Sequence, residues 1–279
     1  MKDQLVSAEW LSNHLKDENL VVADCRFALN DAEAGHKQYE QGHIPGAVYF
    51  DLEKDLSGPK GEHGGRHPLP DLEEFTEKLG KAGIDETKEV VVYDDQNGSF
   101  AARLWWMLRY LGHDKVAVLN VSFSKWADEG YPISTEKPNP AERTFTPHLR
   151  PEMAVDIEKV KTDKGREDVV LIDSRAPERY RGDKEPMDSK AGHIPGAENY
   201  FWKGNVADGG KWKSADELKK RFQSIKGREP IVYCGSGVTA NANVLALKSI
   251  GKEAKLYIGS WSDWSSYEDN PVETGDRKN

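Results

Sequence analysis

Ile231–Leu247 reads IVYCGSGVTANANVLAL, and the order of residue types within it decides the fold class. An apolar run closes on Cys234. Gly235, Ser236 and Gly237 follow with almost no side-chain bulk, and from Val238 or Thr239 the residues favour a helix. A buried strand that turns tightly into a helix is part of a strand–helix–strand unit of a parallel sheet.

The rest of the chain repeats this grammar. In the second half DVVLID (Asp168–Asp173), PIVYC (Pro230–Cys234) and AKLYI (Ala254–Ile258) read as strands. SADELKKRFQSI (Ser214–Ile225) and TANANVLALKSIG (Thr239–Gly251) read as helices, with Ser214 as N-cap and Gly251 as stop. In the first half LVVAD (Leu20–Asp24), EVVVYD (Glu89–Asp94) and KVAVL (Lys115–Leu119) are the expected strands. DLEEFTEKLGKAG (Asp71–Gly83) and SFAARLWWMLRYLG (Ser99–Gly112) are the expected helices. Short apolar strands alternating with helices predict an α/β protein, its parallel sheets covered on both faces.

Specific words also recur in the same order. GHIPGA stands at Gly42–Ala47 and Gly192–Ala197, and ADCR (Ala23–Arg26) answers IDSR (Ile172–Arg175). VVVYDD (Val90–Asp95) answers PIVYCG (Pro230–Gly235), and FSKW (Phe123–Trp126) answers WSDW (Trp261–Trp264). The period is too long for a solenoid and indicates a duplicated domain. Ser134–Met153, STEKPNPAERTFTPHLRPEM, carries four prolines and no periodicity. The expected division is therefore residues 1–135, a linker over 136–150, and residues 151–279.

Bulk properties narrow the function. Of the 279 residues 37% are hydrophobic and 31% charged, with a net charge of −9, so no basic field exists for nucleic acid or an acidic membrane. The N-terminal MKDQLVSAEWLSNHL lacks a signal-peptide core and no stretch is long enough to span a membrane, so the expected location is cytoplasmic. Two cysteines cannot make a disulfide framework.

Cys234 lies where α/β sheets bind ligands, beyond the carboxyl end of a strand. The backbone N–H groups of Gly235, Ser236 and Gly237, with the positive end of the helix, can form an anion cradle that favours a thiolate. Ser236 and Thr239 add hydroxyl donors. A thiolate so placed is a nucleophile. In the other copy Asp94 aligns with Cys234, so that half lacks the sulfur, while Cys25 aligns with Ser174 at a different strand end. A cysteine phosphatase would need an arginine six residues after the cysteine to clamp phosphoryl oxygens, and that residue is Ala240. His63 and His67 are separated by Gly64 and Gly65, which argues against a helix presenting both to a metal.

The paired GHIPGA, the DSRAPERYRG run (Asp173–Gly182), YCGSGVTA (Tyr233–Ala240) and GSWSDW (Gly259–Trp264) together resemble the tandem-domain rhodaneses, the thiosulfate and 3-mercaptopyruvate sulfurtransferases. The resemblance implies two rhodanese-like domains, the first catalytically silent. It implies that Cys234 takes a sulfane sulfur as a persulfide and passes it to a thiophilic acceptor such as cyanide, a low-molecular-weight thiol or a thioredoxin-like protein. It implies donor binding by Gly235, Ser236, Gly237, Val238 and Thr239, by Arg179 on the donor's anionic group, and by His67 of EHGGRHPLP. No cofactor or metal is implied. The neutral CGSGVT loop is similar to that of members preferring 3-mercaptopyruvate. Those members generally carry a second arginine after Glu-Pro, where this chain has Met187, so thiosulfate stands as the alternative donor. A persulfide carrier without turnover is a further alternative.

Overall fold

The computed structural model describes residues 3–276. The chain forms two compact units. The first is Met1–Gly58, Leu69–Arg150 and Val206–Trp212; the second is Pro59–Pro68, Pro151–Asn205 and Lys213–Asn279.

In the first unit the elements run β1 (Leu5–Val6), α1 (Ala8–His14), β2 (Leu20–Asp24), α2 (Ala34–Gln41), β3 (Val48–Tyr49), α3 (Leu72–Lys81), β4 (Glu89–Tyr93), α4 (Ala101–Tyr110), β5 (Val116–Leu119) and α5 (Phe123–Asp128). The second repeats them as β6 (Ala154–Val155), α6 (Ile157–Asp163), β7 (Val169–Asp173), α7 (Pro177–Tyr180), β8 (Glu198–Asn199), α8 (Ala215–Arg221), β9 (Glu229–Tyr233), α9 (Ala240–Ser249), β10 (Lys255–Tyr257) and α10 (Ser260–Trp264). Each unit holds a five-stranded sheet, in order β1-β5-β4-β2-β3 and β6-β10-β9-β7-β8, with every pair parallel. The central strands β4, β7 and β9 are buried along nearly their whole length, as strands covered on both faces must be. Val91, Tyr93 and Trp126 fill the first core, and Ile231, Tyr233 and Trp264 fill the second from matching positions. Among the described residues no helix is long and apolar enough to cross a membrane.

The repeated words are structural. Asp24 pairs with Arg26 and Asp173 with Arg175, each at 2.6 Å, and each arginine also donates to the carbonyl of the glycine that opens GHIPGA, Gly42 at 2.7 Å and Gly192 at 2.6 Å. Tyr39 and Tyr180 donate to the carbonyls of Ala47 and Ala197, both at 2.7 Å, and the imidazoles of His43 and His193 bond the carbonyls of those tyrosines. Buried charges persist only when paired in this way, and removing one partner leaves the other stranded.

The linear division at residues 135 and 151 differs from the contacts in two respects. Residues 136–150 are mostly exposed, but they are tied to the first unit. Arg143 N–H donates to the Gly80 carbonyl (3.0 Å), His148 N–H to that of Leu111 (2.8 Å) and Arg150 N–H to that of Tyr110 (2.9 Å), while Phe145 is buried. Two short segments also fall outside the linear scheme. Val206–Trp212 joins the first unit, where Trp212 Nε1–H donates to the Asn97 carbonyl at 3.1 Å. Pro59–Pro68 joins the second.

Candidate active site

Cys234 follows β9 and is 1% exposed. Its N–H donates to Ser260 Oγ (3.1 Å) and its carbonyl accepts from Trp261 N–H (3.0 Å). The Gly235 carbonyl accepts from Ser262 N–H at 2.8 Å. The cysteine is thus clamped to the start of α10, where Ser260 adopts φ +55°. Gly237 turns the chain with φ +75°, and a side chain there would collide with the Ile258 carbonyl oxygen, so both its backbone angle and its surroundings require glycine.

One side chain aims the loop. The Asn241 amide donates to the carbonyls of Gly237 (2.9 Å) and Val238 (2.8 Å). A trans peptide carries its N–H opposite its carbonyl, so holding these two carbonyls turns the N–H groups of Val238 and Thr239 the other way. Thr239 is the N-cap of α9 and makes no side-chain capping bond. Among the described residues no acceptor meets the N–H groups of Gly235, Ser236, Val238 or Thr239. Helix N-termini with such unmet donors attract anions.

His67 and Ser236 meet at 2.7 Å, imidazole Nδ1 to hydroxyl Oγ, and both are buried. Two guanidiniums face Gly235. A methyl group on this glycine would stand 3.1 Å from Arg66 Nη2 and 3.3 Å from Arg179 Nη1. Arg179 is held by Glu185 (2.7 Å) and by Asp188 Oδ2 (3.1 Å), and Asp188 Oδ1 pairs with Arg66. Glu185 also meets Arg175 at 3.2 Å. Burial pushes the Asp188 carboxyl up, against the pull of Arg66.

The segment carrying Arg66 and His67 is fixed onto α10. Asp263 accepts from Gly64 N–H (2.8 Å), Ser262 Oγ accepts from Arg66 N–H (3.1 Å), and His63 bonds Ser266 Oγ (2.7 Å) while stacking on Tyr267 at 3.9 Å between centroids. Gly65, at φ +88°, lies against the Gly259 carbonyl. The first copy has Lys125 where the second has Asp263, so this anchor is specific to the second copy.

The residues singled out in the sequence therefore gather in one place: Cys234 with Gly235, Ser236, Gly237, Val238 and Thr239 as one loop, His67 on Ser236, and Arg179 at Gly235. The helix starts at Ala240, just past the expected start. Arg175, at 3% exposure, is committed to Asp173. Sequence reading missed Arg66, Glu185, Asp188 and Asp263. The glycine pair before Arg66 was the available signal, since Gly64 and Gly65 both need positive φ. Cys25 lies in the first unit, buried, and its thiol is pushed well up by burial and by Asp24 and Asp94.

The rhodanese-like domain family matches the chain twice, over residues 7–129 and 156–267. A Pseudomonas aeruginosa protein named "Probable 3-mercaptopyruvate sulfurtransferase" is 40% identical over 281 residues, covering 98% of this chain and 99% of its own. A Gallus gallus thiosulfate sulfurtransferase is 34% identical over 272 residues, covering 93% of this chain and 92% of its own. Among solved structures, SseA from Escherichia coli, one of the 3-mercaptopyruvate sulfotransferases, matches with a TM-score of 0.82 at 33% identity over 94% of this chain and 100% of that one. Two matched domains in a single chain, with relatives similar over nearly their full length, mean that the chain belongs to the rhodanese-like family and is a tandem-domain sulfurtransferase.

Proposed function

We propose that the protein moves a sulfane sulfur from 3-mercaptopyruvate to a thiophilic acceptor through a persulfide on Cys234. The observation that carries this reading is the loop around Cys234, where among the described residues no acceptor meets the N–H groups of Gly235, Ser236, Val238 or Thr239 while the Arg179 guanidinium faces Gly235. The Cys234 thiolate attacks the donor sulfur and an S–S bond forms. The C–S bond breaks, its electron pair passes to carbon, and the resulting enolate takes up the thiol proton to become pyruvate. The terminal persulfide sulfur carries the negative charge, and the loop N–H dipoles and the α9 terminus stabilise it. An acceptor nucleophile then attacks that sulfur, the S–S bond breaks, and Cys234 leaves as thiolate. Cyanide, a low-molecular-weight thiol or a thioredoxin-like protein can serve as acceptor.

In this reading Arg179 binds the donor's anionic end, and Gly235, Ser236, Gly237, Val238, Thr239 and His67 line the donor site. Residues 1–135 are catalytically silent because Asp94 stands where a nucleophile would be, and residues 151–279 carry the chemistry. The composition suits the cytoplasm. Thiosulfate is the second reading, with sulfite as leaving group. It is favoured by Met187, a neutral side chain 44% exposed where the resemblance leads one to expect an arginine. The ratio of kcat/KM for the two donors with one acceptor decides between them: 3-mercaptopyruvate is expected to be the better donor, and a higher value for thiosulfate would reverse the assignment.

A further inference from the structure

We propose that the turn Trp202–Asn205 is the floor of a second anion site, where Lys203, Lys213 and Arg221 together bind a small doubly charged oxyanion of the phosphate type. None of the three belongs to the loop around Cys234, so the inference stands apart from the sulfur-transfer reading.

One glycine gathers the three cations. Gly204 presents bare backbone to Arg221, whose guanidinium lies where a side chain on this glycine would have to stand. Arg221 Nη2 donates to the Phe201 carbonyl (2.8 Å) and Nε to Asn205 Oδ1 (3.1 Å). Lys213 Nζ donates to the Gly204 carbonyl itself (2.8 Å). Lys203 adjoins Gly204 and is exposed, its ammonium 5.7 Å from the ring centroid of Trp202 and 6.0 Å from that of Phe201. A guanidinium and a lysine ammonium each carry more N–H groups than these bonds consume, so donors remain for a ligand. The frame is fixed without one. Asn205 is buried, and its amide donates to the Ala242 carbonyl (3.2 Å) and to Asn243 Oδ1 (2.8 Å) on α9. Lys213 N–H donates to the Asn205 carbonyl (2.9 Å). A site held this way loses little freedom when it binds.

What the cluster lacks is a carboxylate. Arg26, Arg143 and Arg228 each meet one. Among the described residues Lys203, Lys213 and Arg221 meet none. The acids nearby in sequence are committed elsewhere: Glu217 closes the capping box with Ser214, Asp216 pairs with Lys219, and Glu198 pairs with Arg228. Burial pushes the Arg221 guanidinium down, with only Tyr200 opposing. A half-buried charge without a counter-charge is costly, and here it stands in a protein of net charge −9, where carboxylates are plentiful. Guanidinium nitrogens meet phosphate oxygens in parallel, while lysines add point charge. Converging positive charges favour a dianion over a monocarboxylate.

Titration calorimetry with inorganic phosphate tests the site, at constant ionic strength and at a pH where phosphate is doubly charged, with acetate as comparison. The loop around Cys234 can also attract phosphate, so variants decide which site is read. Arg221→Gln is expected to weaken one binding event about 10- to 100-fold, and Lys203→Gln about 2- to 5-fold. Arg179→Gln should leave that event unchanged. Gly204→Ala keeps every charge but forces the guanidinium aside, so a built site weakens about 3- to 10-fold where a diffuse field would not change. Phenyl phosphate binding as well as the inorganic ion would assign the site to a phosphate ester, and its exclusion would assign it to the free ion. The proposal fails if phosphate binds wild type and Arg221→Gln alike, if it binds no more tightly than acetate, or if Arg179→Gln removes all binding. Should Arg221→Gln not fold, Lys203→Gln and Gly204→Ala carry the same test, with the denaturation midpoint checking that each is intact.

Discussion

The loops after β4 and β9 occupy the same place in the two units and are filled in opposite ways. After β4 the Asp94 carboxylate accepts N–H groups from Gln96 (2.8 Å) and Gly98 (2.7 Å) on one oxygen, and from Phe100 (2.7 Å) and Ala101 (2.9 Å) on the other. After β9 the equivalent residue is Cys234, and among the described residues the N–H groups of Gly235, Ser236, Val238 and Thr239 meet no such acceptor. The frames agree: the Asp94 carbonyl accepts from Phe123 N–H at 2.9 Å and that of Cys234 from Trp261 N–H at 3.0 Å. This strand-to-helix turn therefore collects backbone dipoles onto one central anion. The first unit supplies that anion permanently from its own chain, and the second leaves the position to sulfur and to what the sulfur reacts with. Burial of Asp94 is costly enough to push its carboxyl up although four N–H bonds pull the other way. The same surroundings push up the neighbouring Cys25 thiol, so the sulfur in the first unit is held as the unreactive thiol.

Breaking the filled loop should have the largest energetic effect. Asp94→Ala strands four donors, three of them buried, and is expected to destabilise the protein by about 3 kcal/mol or more, read as a lowered midpoint in chemical denaturation. A change under about 1 kcal/mol would mean that water replaces the carboxylate and that the loop does not depend on its anion. Removing the guanidinium beside the open loop comes next. Arg179→Ala should cost about 2–3 kcal/mol of transition-state binding, a fall in kcat/KM of roughly 30- to 150-fold for either donor. The smallest effect is expected from Ser236→Ala, which removes one hydrogen bond to His67, worth about 1 kcal/mol and so about fivefold in kcat/KM. A loss for Ser236→Ala as large as that for Arg179→Ala would point to a Cys–His–Ser relay instead of an electrostatic cradle.

The duplicated frame was legible in the sequence because its determinants are local. Alternating apolar runs, GHIPGA and the Asp-x-Arg pairs each specify structure within a few tens of residues, and the three strands and two helices expected in each half fall where these signals put them, while the two-residue edge strands and the shorter helices carry too little pattern to be read. Cys234 and its loop were legible for the same reason, being one strand end and one helix start. Arg66, Asp188 and Asp263 were not. Arg66 meets Asp188 across 122 residues of chain, and Gly64 meets Asp263 across 199. No periodicity connects such positions. Pro59–Pro68 also packs with the unit that is distant in sequence, where a linear reading assigns it to the first half. The proline-rich stretch before Arg150 was legible as irregular chain, but its ties to Gly80, Tyr110 and Leu111 depend on backbone groups that carry no residue signature.

The central claim is that the open loop carries the transferable sulfur and the filled one does not. Donor-treated wild-type protein, Cys234→Ser and Cys25→Ser, measured by intact mass spectrometry after removal of excess donor, test it directly. One added sulfur is expected on wild type and on Cys25→Ser, released by cyanide, and none on Cys234→Ser. A cyanide-releasable sulfur that persists on Cys234→Ser would contradict the account.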